Sequence, residues 1–134
     1  MRILSQAPSH EPSDHTAYHR ALAETLTRVP GVQSASYTMP DPLLGESNRI
    51  AVVLHGGALT TDADVSIVGP DFFRTMGMTL LAGRDFAWTD DEHAPHVVVV
   101  SESFARDLFG GGDDAIGQGL DGPDLPFGKG ARVI

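Results

Sequence analysis

The chain has 134 residues and carries nine lysines and arginines against eighteen aspartates and glutamates, a formal charge of −9. That length is one domain or two very small lobes, and a hydrophobic fraction of 41% is enough for a core. The absence of cysteine excludes a disulfide framework and a cysteine-ligated zinc site, the acidic balance runs against a nucleic-acid binder, and no apolar run approaches the about 20 residues of a spanning helix.

In chain order, residues 1–7 read as a short first strand with Ile3 and Leu4 as its apolar content, followed by a Pro/Ser/His loop. The spacing then predicts a helix over residues 15–29, capped by Ser13 or Asp14. Tyr18, Leu22, Leu26 and Val29 share one side of it and Arg20, Glu24, Thr27 and Arg28 the other. Pro30-Gly31 ends the helix, because proline cannot continue the ladder and glycine accepts the left-handed turn. Residues 32–39 alternate as a strand that Pro40-Asp41-Pro42 stops. Residues 49–54 form a compact apolar run, residues 55–62 a turn, and residues 65–68 a further strand closed by Gly69-Pro70.

Pro70 suits the first position of a short helix to Met76, which Gly77 ends. Residues 78–82 return as a strand into a turn at Gly83-Arg84-Asp85, and residues 90–95 form an acidic loop. Four consecutive valines, Val97 to Val100, predict a strand covered on both faces. Ser101 or Ser103 then caps a helix to Phe109 that a triple glycine ends, and the remainder is loop until residues 132–134 begin another strand. These elements predict an α+β domain: a mixed sheet with two main helices packed on one face, or two small lobes.

Candidate chemistry is sparse. His15 and His19 stand at the i, i+4 spacing that can share a metal, but Thr16 occupies the place of the metalloprotease glutamate; a third ligand would come from His10, Glu11 or a distant loop. Asp90-Asp91-Glu92-His93 with His96 is a dense ligand set without the spaced pattern of a calcium loop, and Asp113-Asp114 and Asp121 raise the same idea. Residues 122–130 fail as a phosphate loop: Gly130 stands where Ser or Thr should be, and two prolines remove backbone donors. Ser101 and Ser103 lack the glycines of a nucleophile elbow. The residues therefore assign no catalytic, cofactor-binding or metal-ligating position.

An ordered series over residues 65–120 is more specific. It runs Val65-Ser-Ile-Val-Gly-Pro-Asp-Phe-Phe-Arg-Thr-Met-Gly-Met78, then Leu80-Leu-Ala-Gly-Arg-Asp-Phe86, Asp90-Asp91, Val97-Val-Val-Val-Ser-Glu102, Phe104-Ala105, Phe109-Gly110 and Ile116-Gly117. The series closely resembles the MacB-like periplasmic core domain of FtsX-type ABC transporter permeases, and residues 26–36 resemble its helix-to-strand passage. Two positions depart from that pattern: Ala115 where the family often has proline, and a looser Gly110-Gly111-Gly112.

The resemblance implies a non-catalytic, extracytoplasmic domain of an integral membrane protein on the periplasmic side of a bacterial inner membrane, without cofactor, over residues 1–134 and truncated at its C-terminal end. It implies as partners the parent transmembrane helices and a cytoplasmic ABC ATPase domain or subunit, together with a permease dimer and a periplasmic partner protein. Gly69-Pro70, Gly77 and Gly83 would set turns, and Phe72, Phe73 and Phe86 would supply core. Two rival readings are a freestanding acidic binding module of the envelope and a small metal-dependent hydrolase built on His15, His19, His93 or His96. Residues 90–124 hold nine acids against Arg106 alone, so an acidic face would lie there.

Overall fold

A computed structural model describes residues 3–6, 13–39, 48–54, 56–57, 60–91, 93–122 and 130–134. Its elements are β1 (Ile3–Gln6), α1 (Ser13–Thr27), β2 (Thr38–Met39), β3 (Asn48–Leu54), β4 (Thr60–Val68), α2 (Phe72–Thr75), β5 (Val97–Val100), α3 (Glu102–Phe109), α4 (Gly112–Ala115), β6 (Gly119–Asp121) and β7 (Ala131–Val133). The α+β class and the mixed sheet are as the sequence indicates.

The seven strands follow the order β1-β5-β7-β6-β3-β4-β2, and an extra pairing of β1 with β4 joins the first six into a closed ring. Pairing is parallel for β1–β4 and β5–β7 and antiparallel elsewhere. Ile67 has Gln6 on one side and Met39 on the other, so β2 occupies the same edge of β4 as β3, beyond the end of β3.

Because side chains alternate along a strand, this register sorts the core into two sets. Val52, Ala63, Val65, Val98, Leu120, Ala131 and Val133 share one face, where Phe104 and Ala105 of α3 and Ala115 of α4 complete the larger cluster. Val68, Val97 and Val99 lie on the opposite face under Phe72, Phe86, Phe73, Leu80 and Ile134. The valine strand is thus covered on both faces, which explains why it needs no polar alternation.

Local chemistry explains the ends of α3. Ser101 Oγ accepts a hydrogen bond from Phe104 N at 3.3 Å, and Gly110 closes the helix at φ 88°. Ser101, not Ser103, is therefore the cap. The Pro70 position differs from the expected one: α2 begins later, after Asp71 at φ 63°, the sole non-glycine residue with positive φ among the described residues. Thr75 Oγ1 donates to Asp71 O at 2.7 Å and pairs with Ser34 Oγ at 3.0 Å, tying α2 to the chain before β2.

Three segments differ from the sequence expectation. Residues 32–37 run alongside without strand pairing, leaving only Thr38–Met39 as β2. Residues 78–82 are irregular, although Leu80 still anchors in the outer cluster. Residues 112–121, read as loop, contain α4 and β6. Of the two main helices, α3 supplies core, whereas α1 contributes no buried hydrophobic side chain among the described residues. The stop at residues 40–42 and most of the 122–130 loop lie outside the described residues.

Candidate functional site

The most ordered polar constellation lies on the turn from Gly83 to Asp90. Arg84 Nη1 donates to Asp90 Oδ2 and Nη2 to Asp90 Oδ1, both at 2.8 Å, the two-pronged geometry that a planar guanidinium favours. Ala87 N also donates to Asp90 Oδ2 at 2.8 Å, and Asp90 N donates to Ala87 O at 2.9 Å. Asp90 is buried. The Arg84 hydrogen bonds hold its carboxyl below the usual carboxylate range, against the opposing effect of burial. Neighbouring Asp85 behaves in the opposite way: burial pushes its carboxyl up, while the hydrogen bond from Phe86 N at 2.7 Å limits the rise. With three donors on Asp90 and its negative charge matched by Arg84, this turn is a clamp for the chain and offers no free acid or base.

Two glycines make the surrounding packing feasible. At Gly69, which donates its N–H to Tyr37 O at 3.0 Å, an added Cβ would sit 2.4 Å from Tyr37 Cε1. The Tyr37 ring cannot easily withdraw, because it stacks on His19 with centroids 4.3 Å apart and lies 6.3 Å from the Trp88 ring. Gly83, at φ 77°, approaches Ile134 so closely that a Cβ would come within 2.5 Å of its carbonyl carbon.

An apolar groove of about 340 Å³ opens between residues 78–82 and α3, lined by Phe73, Leu80, Leu81, Val99, Ala105 and Ile116 among others. Ser101 and Glu102 stand at its edge, but Ser101 is engaged as the helix cap and Glu102 Oε1 accepts from Arg106 Nη2 at 2.8 Å. No nucleophile–base pair converges there.

The other sequence candidates are dispersed. His19 packs against Tyr37, with its Nδ1 buried and without a hydrogen-bond partner among the described residues. The side chain of His15, and His10, Glu11 and Glu92, lie outside the described residues. His93 N donates to Asp91 Oδ1 at 2.9 Å, closing an acidic turn, and His96 O accepts from Arg132 N in the β5–β7 pairing. Asp121 Oδ1 accepts from Gly130 N at 2.7 Å, so this acid ties the end of β6 to the residue before β7. Among the described residues, no three His, Asp or Glu side chains come together as a metal site, and no helix is long and apolar enough to cross a membrane. The sequence places Arg84 in a turn and Asp90 in an acidic loop, and nothing in it separates Asp90 from the acids beside it; the pairing is visible only in the structure.

The profile of the MacB-like periplasmic core domain matches residues 2–133, essentially the whole chain. The chain belongs to this family. Similar curated proteins include a macrolide export ATP-binding/permease protein MacB of Agrobacterium fabrum, 34% identical over 98 residues, and MacB 1/2 of Paracoccus denitrificans, 36% identical over 98 residues. Each alignment covers 73% of this chain, but only 14% and 13% of those proteins. A MacB of Chromobacterium violaceum is 42% identical over 57 residues, covering 42% of the chain and 9% of that protein. The chain therefore spans about a seventh of the curated relatives it matches. No solved structure matches. Of the motif series, Phe72, Phe73 and Phe86 sit in the outer cluster, and Gly69 and Gly83 stand where an added Cβ would meet Tyr37 and Ile134.

Proposed function

We propose that this chain is a non-catalytic extracytoplasmic domain of an ABC transporter permease, one that couples ATP-driven motion of its parent membrane protein to export or to a periplasmic partner. The observation that carries this reading is the family match across residues 2–133. The relatives' names join ATP binding and permease in one protein, which supports an ATPase domain or subunit as the source of motion and membrane helices outside residues 1–134 as its conduit. A domain that moves rather than reacts needs rigid internal geometry and no activated nucleophile. The Arg84–Asp90 clamp and the two-sided valine strand fit that requirement.

The test is made in the parent protein. Replacing residues 3–134 by a flexible linker should abolish export while leaving nucleotide binding intact. Macrolides are the first substrates to try, because the relatives carry that name. Unchanged export by the deleted protein, or a parent reading frame without spans of about 20 apolar residues, would overturn the reading.

A further inference from the structure

α1 rests on the domain along one narrow side. Of its described side chains only Thr16, His19 and Ala23 are half-buried, while Tyr18, Leu22 and Leu26 stay 64%, 43% and 43% exposed. The His19 ring stacks on the Tyr37 ring with centroids 4.3 Å apart. Beyond His19 the helix stands off. A cleft of about 290 Å³ lies between Ala23, Glu24, Thr27 and Arg28 of this half of the molecule and Pro70, Asp71 and Trp88 opposite. A helix that buries so little apolar surface belongs at the low end of the local stabilities within a fold.

The chain leaving α1 becomes fixed only a few residues later. Gln33 O accepts from Arg74 Nη2 at 3.5 Å, Ser34 Oγ pairs with Thr75 Oγ1 at 3.0 Å, and Tyr37 O accepts from Gly69 N at 3.0 Å. Residues 33–37 are thereby fastened to α2 and to the turn before it. Between them and α1 stand Pro30 and Gly31, spanned by the 3.1 Å hydrogen bond from Val32 N to Val29 O. Gly31 lies at φ 88° in open space, where an added Cβ would meet nothing within 4 Å. This joint is free to turn, whereas the segment after it is not.

We infer that α1 is a hinged arm that opens from the domain independently of the sheet, pivoting at Pro30-Gly31 and latched shut by His19 against Tyr37. The Tyr37 side of the latch is held firmly, with its ring against Gly69 and 6.3 Å from the Trp88 ring. The His19 side is the weak one. Its Nδ1 is buried without a hydrogen-bond partner among the described residues, and an unpaired buried polar atom opposes closure. Opening uncovers Pro70, Asp71 and Trp88 on the floor of the cleft. The released arm frays, because α1 has 15 residues and an isolated helix of that length is marginal in water. The inference concerns the chain itself and does not rest on the transporter reading.

Amide hydrogen exchange of the 134-residue chain tests it. The amides of α1 should open at least about a hundredfold more often than those of β4 and β5. His19→Ala should raise α1 exchange by a further factor of about ten or more and leave β4 and β5 unchanged, since His19 is not in either core cluster. His19→Phe keeps a ring on Tyr37 and removes the unpartnered nitrogen, so its α1 should exchange no faster than the wild type. Trp88 is the one tryptophan of the chain, and its emission should move to longer wavelength in His19→Ala but not in His19→Phe. An α1 that exchanges only together with β5 would overturn the inference. So would a His19→Ala protein with unchanged α1 exchange or unchanged Trp88 emission, or one whose sheet is loosened as much as its helix. A His19→Phe protein that behaves like His19→Ala would show that the stack is no latch.

Discussion

Arg84 and Asp90 meet through two parallel hydrogen bonds of 2.8 Å, with the carboxylate buried and the guanidinium half exposed. The asymmetry of exposure decides what mutation will do. Arg84→Ala leaves a buried carboxylate without its counter-charge and should destabilise the fold by about 1–3 kcal/mol. Arg84→Lys keeps the charge but loses the fork, and should fall between the wild type and Arg84→Ala. Urea unfolding midpoints of the three proteins check the order.

The same site sets an acid dependence. The Asp90 carboxyl is held below its ordinary value when folded, so its contribution is present above the unfolded pKa of about 3.9 and disappears as pH falls through the lower folded value. Asp85 is shifted upward, so its ionisation costs stability, and the cost is relieved as pH falls through its raised value. Asp90→Asn should therefore flatten the loss of stability below about pH 4. Asp85→Asn should raise stability at neutral pH and remove the small gain on mild acidification. Unfolding free energies measured between neutral and acid pH separate the two.

Gly69→Ala puts a methyl 2.4 Å from a ring held between His19 and Trp88. It should cost about 1–3 kcal/mol, the usual effect of overpacking. Tyr37→Ala makes room for that methyl, so the double variant should lose less than the sum of the two single changes. A double-mutant cycle in urea measures the coupling.

Ser101→Ala removes the side-chain acceptor for Phe104 N and should destabilise by about 1 kcal/mol. Ser103→Ala leaves that bond in place and should cost less. Thermal unfolding of the two variants distinguishes cap from neighbour, with the reverse order contradicting the assignment made from the 3.3 Å contact.

Legibility in the sequence tracked how strongly a local signal agreed with its tertiary surroundings. Val97 to Val100 and the Ser101-to-Gly110 helix were readable because burial on both faces, the cap and the stop are all written locally. β4 proved longer than its apolar run, since Asp62 and Asp64 take the outward positions of a strand whose inward side carries Ala63 and Val65. β6 spans three residues beginning with glycine and exists only because β3 and β7 flank it. The stripe on α1 was visible as a stripe, but periodicity reports that apolar residues share a side, not which way that side points. The direction is fixed by His19 stacking on Tyr37, a contact between residues 18 positions apart. The Arg84–Asp90 clamp was illegible for a related reason, because a charged pair six residues apart looks like any polar turn until its burial is known.

The ring of strands bears on how the domain would carry load. Its closure depends on β1, whose residues pair at once with β4, some sixty positions later, and with β5, more than ninety positions later. Tension applied to the amino end runs along the axis of β1 and must slide it against both neighbours together, breaking the rungs of two ladders in concert rather than peeling them one by one. The first strand therefore has a hydrogen-bonded neighbour on each edge, and opening the ring there would require both ladders to break.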